Sequence, residues 1–161
     1  MSFNLETYTL THVVLSLVGI ASGLVVAIGF LRGKQLGGLN ALFLAATVAT
    51  SATGYGFPVT HLLPSHVVGA VSLVVLAVAI YGRYARHLAG RWRVVYVICA
   101  VAALYLNVFV LVVQSFLKVP GLHALAPTQS EPPFAIAQLV VLAAFIALGT
   151  LAVRRSKSAS T

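Results

Sequence analysis

Five histidines, two glutamates and a single cysteine hold most of the chemistry that this 161-residue chain offers near neutral pH. Imidazole is the usual neutral nitrogen ligand of zinc, copper and haem iron, and it titrates near neutrality. His12 and His66 would suit an axial pair on haem b, and His12, His61, His66 and His123 together would suit a divalent metal. Their spacing follows no established ligand pattern: Pro64 lies between His61 and His66, unlike the helical HExxH arrangement. The plainer role for these rings is interfacial hydrogen bonding, and His66 also fits the first turn of a helix capped by Ser65.

The remaining inventory removes whole reaction classes. There is no Asp, and Glu occurs only at positions 6 and 131, so a Ser-His-Asp triad, a paired-carboxylate glycosidase site and a carboxylate-bridged di-iron centre all lack parts. Cys99 alone makes no intramolecular disulfide, CxxC redox pair or multi-cysteine zinc site. A different polar feature is more regular. Tyr96, Ala100, Ala103, Asn107, Gln114 and Lys118 recur at steps that return to one face of a helix. Asn107 and Gln114 on that face serve either as interhelical hydrogen-bonding groups or, with Lys118, as a polar track opening toward one end. Thr128, Gln129, Ser130 and Glu131 fit a capping box, and Pro132 and Pro133 fit a first helical turn if Ser130 caps instead. The competing role for Gln129, Glu131 and Gln138 is to line a cavity together with the histidines.

The elements that must position these groups follow from composition. Apolar residues make up 60% of the chain, against about 45 to 50% in ordinary soluble domains. With Lys plus Arg at 10 and Glu at 2, polar groups are too few to cover a soluble surface, and the chain reads as membrane-embedded. Five apolar stretches of near-spanning length run from Leu10 to Leu31, Leu39 to Phe57, His66 to Tyr84, Val94 to Phe116 and Phe134 to Val153. Turn and helix-stop chemistry separates them: Arg32-Gly33-Lys34 with Gly37-Gly38, then Pro58 to Pro64, Arg83 to Arg93, and Pro120 to Pro133. The expectation is an all-α polytopic bundle of five transmembrane helices forming a single membrane domain over residues 1–161. The first stretch reads as a retained helix, because Met1 to Thr9 carries Glu6 and no basic residue, unlike a signal peptide.

Basic residues set the expected orientation. Arg32, Lys34, Arg83, Arg86, Arg91, Arg93, Arg154, Arg155 and Lys157 fall on one side of such a bundle, and Lys118 alone falls on the other. That asymmetry places the N-terminus outside and the C-terminus in the cytoplasm. His12, His61, His66, His123 and both glutamates then share the outer side, and only His87 lies within. The same topological account absorbs the net charge of +8, so nucleic acid is not an expected partner. Small residues mark close helix approach: Gly19 and Gly23 form a GxxxG pair extended by Ser16 and Ala27, and Ala46, Thr50 and Gly54 form a second row. These rows fit packing within the chain or contacts with another copy or membrane-protein partner, and self-association is expected. The second stretch, rich in Ala, Thr and Ser, depends most on its neighbours for insertion.

The segments Leu63-Pro64-Ser65-His66-Val67-Val68-Gly69, Ala103 to Gln114 and Ala124 to Phe134 resemble small multi-pass bacterial inner-membrane proteins to which no activity is attached. The resemblance runs from the first helix to the fifth. It implies a helical bundle in a bacterial inner membrane and transfers no functional residue. The residues themselves favour a channel or facilitator for a small solute or ion, since Asn107, Gln114 and Lys118 offer a polar track and no carboxylate lies mid-membrane for proton coupling. A haem- or metal-binding electron-transfer protein is the second expectation and a structural subunit of a membrane assembly the third. Catalysis has the least support.

Overall fold

The computed structural model describes residues 4–58 and 64–158, which places His61 outside the described residues. Helices account for nearly all of them: α1 Leu5–Leu31, α2 Gly37–Thr53, α3 Pro64–Ile80, α4 Arg91–Lys118, α5 Pro120–Leu125 and α6 Pro132–Ser158. A 3-10 turn over Gly54–Gly56 follows α2, and a π turn over Tyr81–Ala85 continues α3. Most helices overrun the apolar stretches that announce them. α1 starts at Leu5 rather than Leu10 because Asn4 caps it, its side-chain oxygen accepting from the amides of Glu6 at 3.1 Å and Thr7 at 3.3 Å. It stops at a glycine left-handed cap: Gly33 has φ +69°, its amide reaches Phe30 and the Lys34 amide reaches Gly29 at 2.8 Å.

Among the described residues, four helical segments are long and apolar enough to cross a membrane, Leu5–Leu31, Ser65–Ala85, Arg91–Lys118 and Pro132–Ser158, where the sequence leads one to expect five. The exception is α2. The expected segment from Leu39 to Phe57 ends as α-helix at Thr53, where Gly54-Tyr55-Gly56 tightens into the 3-10 turn, leaving 17 residues. That is about 25 Å of helix. α2 still runs antiparallel along α1 from one end to the other, with Leu36 against Gly29 at its start and Thr53 against Tyr8 at its finish. The segment from Pro120 to Pro133, expected as loop, contains α5, whose first residue is the proline that suits a first turn.

α4 is the hub, packing against α1, α3 and α6, while α1 pairs with α2 and α2 with α3. The buried apolar cluster is built from Val26, Phe30, Phe43, Leu76, Tyr96, Val97, Leu104, Ala152 and their neighbours. Every one of these lies in the half of its helix nearer the Arg83 and Arg93 end. Buried apolar side chains are thus concentrated toward this basic end and are fewer toward the end bearing His12 and His66. α6 is peripheral, and Ala152 is its single buried residue among those described. It is tied to α4 near its start by Phe134 against Phe116, ring centroids 5.4 Å apart, and by Gln138 donating to the Phe109 carbonyl at 3.3 Å.

Candidate functional site

The buried polar side chains trace one seam between the two ends, and α2 supplies most of it. Asn40, Thr47, Thr50 and Ser51 are all buried on its inward side, consistent with helical spacing that brings them to one face. At the histidine end, Tyr8 donates to the Thr53 carbonyl at 2.6 Å and His12 Nδ1 lies 2.8 Å from Thr53 Oγ1. Thr53 directs its own hydroxyl proton to the Ala49 carbonyl at 2.7 Å. Phe57 closes this cluster, edge-on to both Tyr8 and His12 at 5.0 and 5.2 Å.

Deeper along α2, Thr50 Oγ1 is buried without a hydrogen-bonding partner, and Ser51 donates to Ser72 of α3 at 3.0 Å. Asn107 of α4 then reaches Thr47 Oγ1 at 3.4 Å, a long bond. Gly19 is what allows α1 to lie against this pair, since a Cβ there would stand 3.1 Å from Thr47 Oγ1 and 3.3 Å from Asn107 Nδ2. One turn on, the seam closes. Phe43 and Leu104 press against Gly23, where a Cβ would fall 2.6 Å from Leu104 and 2.8 Å from the Phe43 ring. Beyond that plug the polar groups resume: Tyr96 donates to Asn40 Oδ1, and Asn40 Nδ2 donates to the Leu36 carbonyl at 2.8 Å. The Arg83 guanidinium sits over the Tyr96 ring at 5.3 Å and donates to Gln35 at 3.1 Å.

The expected polar track meets this seam at one residue. Asn107 is buried in it, whereas Gln114 and Lys118 are exposed. The cause is a change of neighbours along α4: at this end Phe116, nearly opposite Gln114 on the helix, is the residue turned inward, against Phe134 of α6. His12, His66 and His123 share an end but not a site. His12 belongs to the Thr53 cluster, the His66 ring tilts against Tyr55 at 5.4 Å while its carbonyl accepts from the Tyr55 hydroxyl, and the exposed His123 lies 3.3 Å from the Phe116 carbonyl. Among the described residues no three His, Cys, Asp or Glu side chains gather as a metal-holding group.

Glu131 and Gln129 hold the connection before α6. Glu131 accepts from the Thr128 amide at 3.2 Å, the Thr128 hydroxyl at 2.9 Å and the Ser130 amide at 3.1 Å. This supplies the glutamate half of the expected capping box. The helix nevertheless starts at Pro132, with the Glu131 carbonyl accepting from Ala135, so Thr128 binds the carboxylate rather than capping the helix. Desolvation acts to raise the Glu131 carboxyl, but the donors from its own backbone, Thr128 and Ser130 outweigh it and hold it below the ordinary carboxylate value. Gln129, at φ +59°, donates to the Val113 carbonyl at 2.8 Å. Gln138 is half-buried, with Oε1 enclosed and unpaired.

Asn40, Thr47 and Thr53 are the seam residues that a search for titratable groups overlooks. Their signal in the sequence is a polar face on an otherwise apolar helix, shared with the small-residue row Ala46, Thr50 and Gly54. No protein-family model, curated protein or solved structure matches this chain.

Proposed function

We propose that this protein is a membrane facilitator for a small polar solute or ion, held closed by Phe43 and Leu104. The observation that carries the reading is the seam itself, with polar layers on both sides of one apolar constriction. Such constrictions gate by excluding water, and widening them admits it. The outer approach passes His12, Thr53, Thr50 and the Thr47–Asn107 pair; the inner approach passes Tyr96, Asn40 and Arg83. In this reading α2 is a fifth crossing whose polar face is covered by α1, α3 and α4 while Leu39 and Leu42 face outward. The N-terminus faces outward and the basic end faces the cytoplasm of a bacterial cell, following the distribution of Lys and Arg.

The test is flux into vesicles containing the purified full-length chain, followed with a pH-sensitive dye for protons and light scattering for glycerol. Phe43→Ala and Leu104→Ala should raise the rate for at least one of these about tenfold, the effect of removing about 1.4 kcal/mol from a barrier. Thr47→Val should lower it. Vesicles carrying Phe43→Ala or Leu104→Ala that leak no faster than empty ones would overturn the proposal.

A second reading, a structural subunit of a membrane assembly, is favoured by the periphery of α6, which buries Ala152 alone. Its test is mass in mild detergent and in nanodiscs: an oligomer whose interface maps to α6 supports it, and a monomer under all conditions contradicts it.

A further inference from the structure

α4 and α6 leave between them a groove of about 550 Å³, walled by Tyr105, Leu142, Phe145 and Gly149 and ending at Arg154 and Lys157. From Leu142 to Lys157 the helix rises about 22 Å, and half a bilayer with its headgroup layer is about 20 to 22 Å thick. The groove thus matches one leaflet in depth, apolar along its length and cationic where headgroups lie. Arg154 and Lys157 are exposed. Both glutamates lie at the other end, Glu6 in the first turn of α1 and Glu131 before α6, so no carboxylate side chain of this chain is placed to neutralise them.

We propose that this groove binds one anionic phospholipid from the leaflet at the basic end. An acyl chain lies against Phe145 and Gly149, and the phosphate meets Arg154 and Lys157 as a charge-assisted acceptor. A second copy of the chain is a poorer occupant, because it would bring its own cations to a cationic end that has no carboxylate to pair with them. The inference needs only that the chain sits in a bilayer with this end at the interface. It is independent of whether the seam conducts.

Native mass spectrometry of the full-length chain in mild detergent, titrated with phosphatidylglycerol and with phosphatidylcholine of the same acyl chains, tests it. One phosphatidylglycerol should be retained per chain in preference to phosphatidylcholine, and millimolar inorganic phosphate should not displace it. R154Q/K157Q should weaken phosphatidylglycerol about thirtyfold, from about 1 kcal/mol per cation, and leave phosphatidylcholine unchanged. Both positions are exposed, so their replacement leaves the packing intact. G149L, which fills the groove and keeps both cations, should weaken both lipids; A102L serves if G149L does not fold. K34Q/R155Q, in a separate cavity of about 410 Å³ lined by Phe30, Lys34, Arg93 and Arg155, should change neither. Equal retention of the two lipids, undiminished phosphatidylglycerol in R154Q/K157Q, loss confined to K34Q/R155Q, displacement by phosphate, or a second chain in the groove would each overturn the proposal.

Discussion

Gly23 and Gly33 are both glycines for reasons the structure separates. Gly23 is ordinary helix, and its hydrogen is required because Leu104 and Phe43 occupy the space a methyl would need. Gly33 has nothing within 4 Å and is required by its backbone, at φ +69°. Gly23→Ala should therefore destabilise the bundle by about 1 to 3 kcal/mol through overpacking, and Leu104→Ala should relieve part of that cost, giving a non-additive pair in a denaturation cycle. Gly33→Ala should cost about 1 to 2 kcal/mol, with no relief from any neighbouring truncation. Glu131 makes a prediction in pH. Its folded pKa is lowered, so the contribution of its hydrogen bonds is complete above the ordinary carboxylate value of about 4.3 and is lost as pH falls through the lowered one. The Thr128 and Ser130 amides should exchange faster only below that range, and Glu131→Gln should abolish the pH step. A step at or above the ordinary value would contradict the carboxylate geometry.

Among the elements, α1 and α2 depend on each other more than on their own composition. Gly19 and Gly23 of α1 receive Thr47, Asn107, Phe43 and Leu104, so the GxxxG pair is occupied within the chain. Self-association, if it occurs, must use another face. The N-terminal start of α1 rests on Asn4, and Asn4→Ala should fray its first turn at a cost of about 0.5 to 2 kcal/mol, readable as faster exchange at Glu6 and Thr7. At the basic end, α3 turns toward α4 through the π turn, where the Arg86 amide bonds to Tyr81 at 3.0 Å and Trp92 covers Gly82. Tyr81 meets the Trp92 ring at 5.1 Å and Arg86 lies 5.9 Å from it, so this corner is held by aromatic and cation–π contacts rather than by an ion pair.

For the whole molecule, the two ends differ in charge and in packing at once. The apolar cluster fills the basic half, and the half bearing His12 and Thr53 holds fewer buried side chains. In a Cys99→Ala background, Cys at 130 should react with a membrane-impermeant maleimide in intact cells, and Cys at 158 only after permeabilisation. Equal labelling of both would overturn the proposed topology, whether α2 or another segment is the one that fails to cross.

Composition alone determined that the chain is helical and apolar, because 60% apolar residues in long runs bounded by Gly, Pro and Arg leave few other arrangements for backbone hydrogen bonds away from water. The same periodic signal marked the buried Tyr96 and Asn107 face. It did not reach Gln114, since which side of α4 is covered near Phe116 depends on α6, far along the chain. Nor did spacing decide the histidines: a ring's partner is a neighbour in space, and His12 found Thr53 whereas His66 found Tyr55. Asn40, Thr47 and Thr53 were visible as letters but became one seam only when α1 lay against α2 and α4 across Gly19 and Gly23. Helical periodicity is a property of local sequence. Which faces meet is settled by shape and burial among helices that are distant in sequence, and only the tertiary structure decides it.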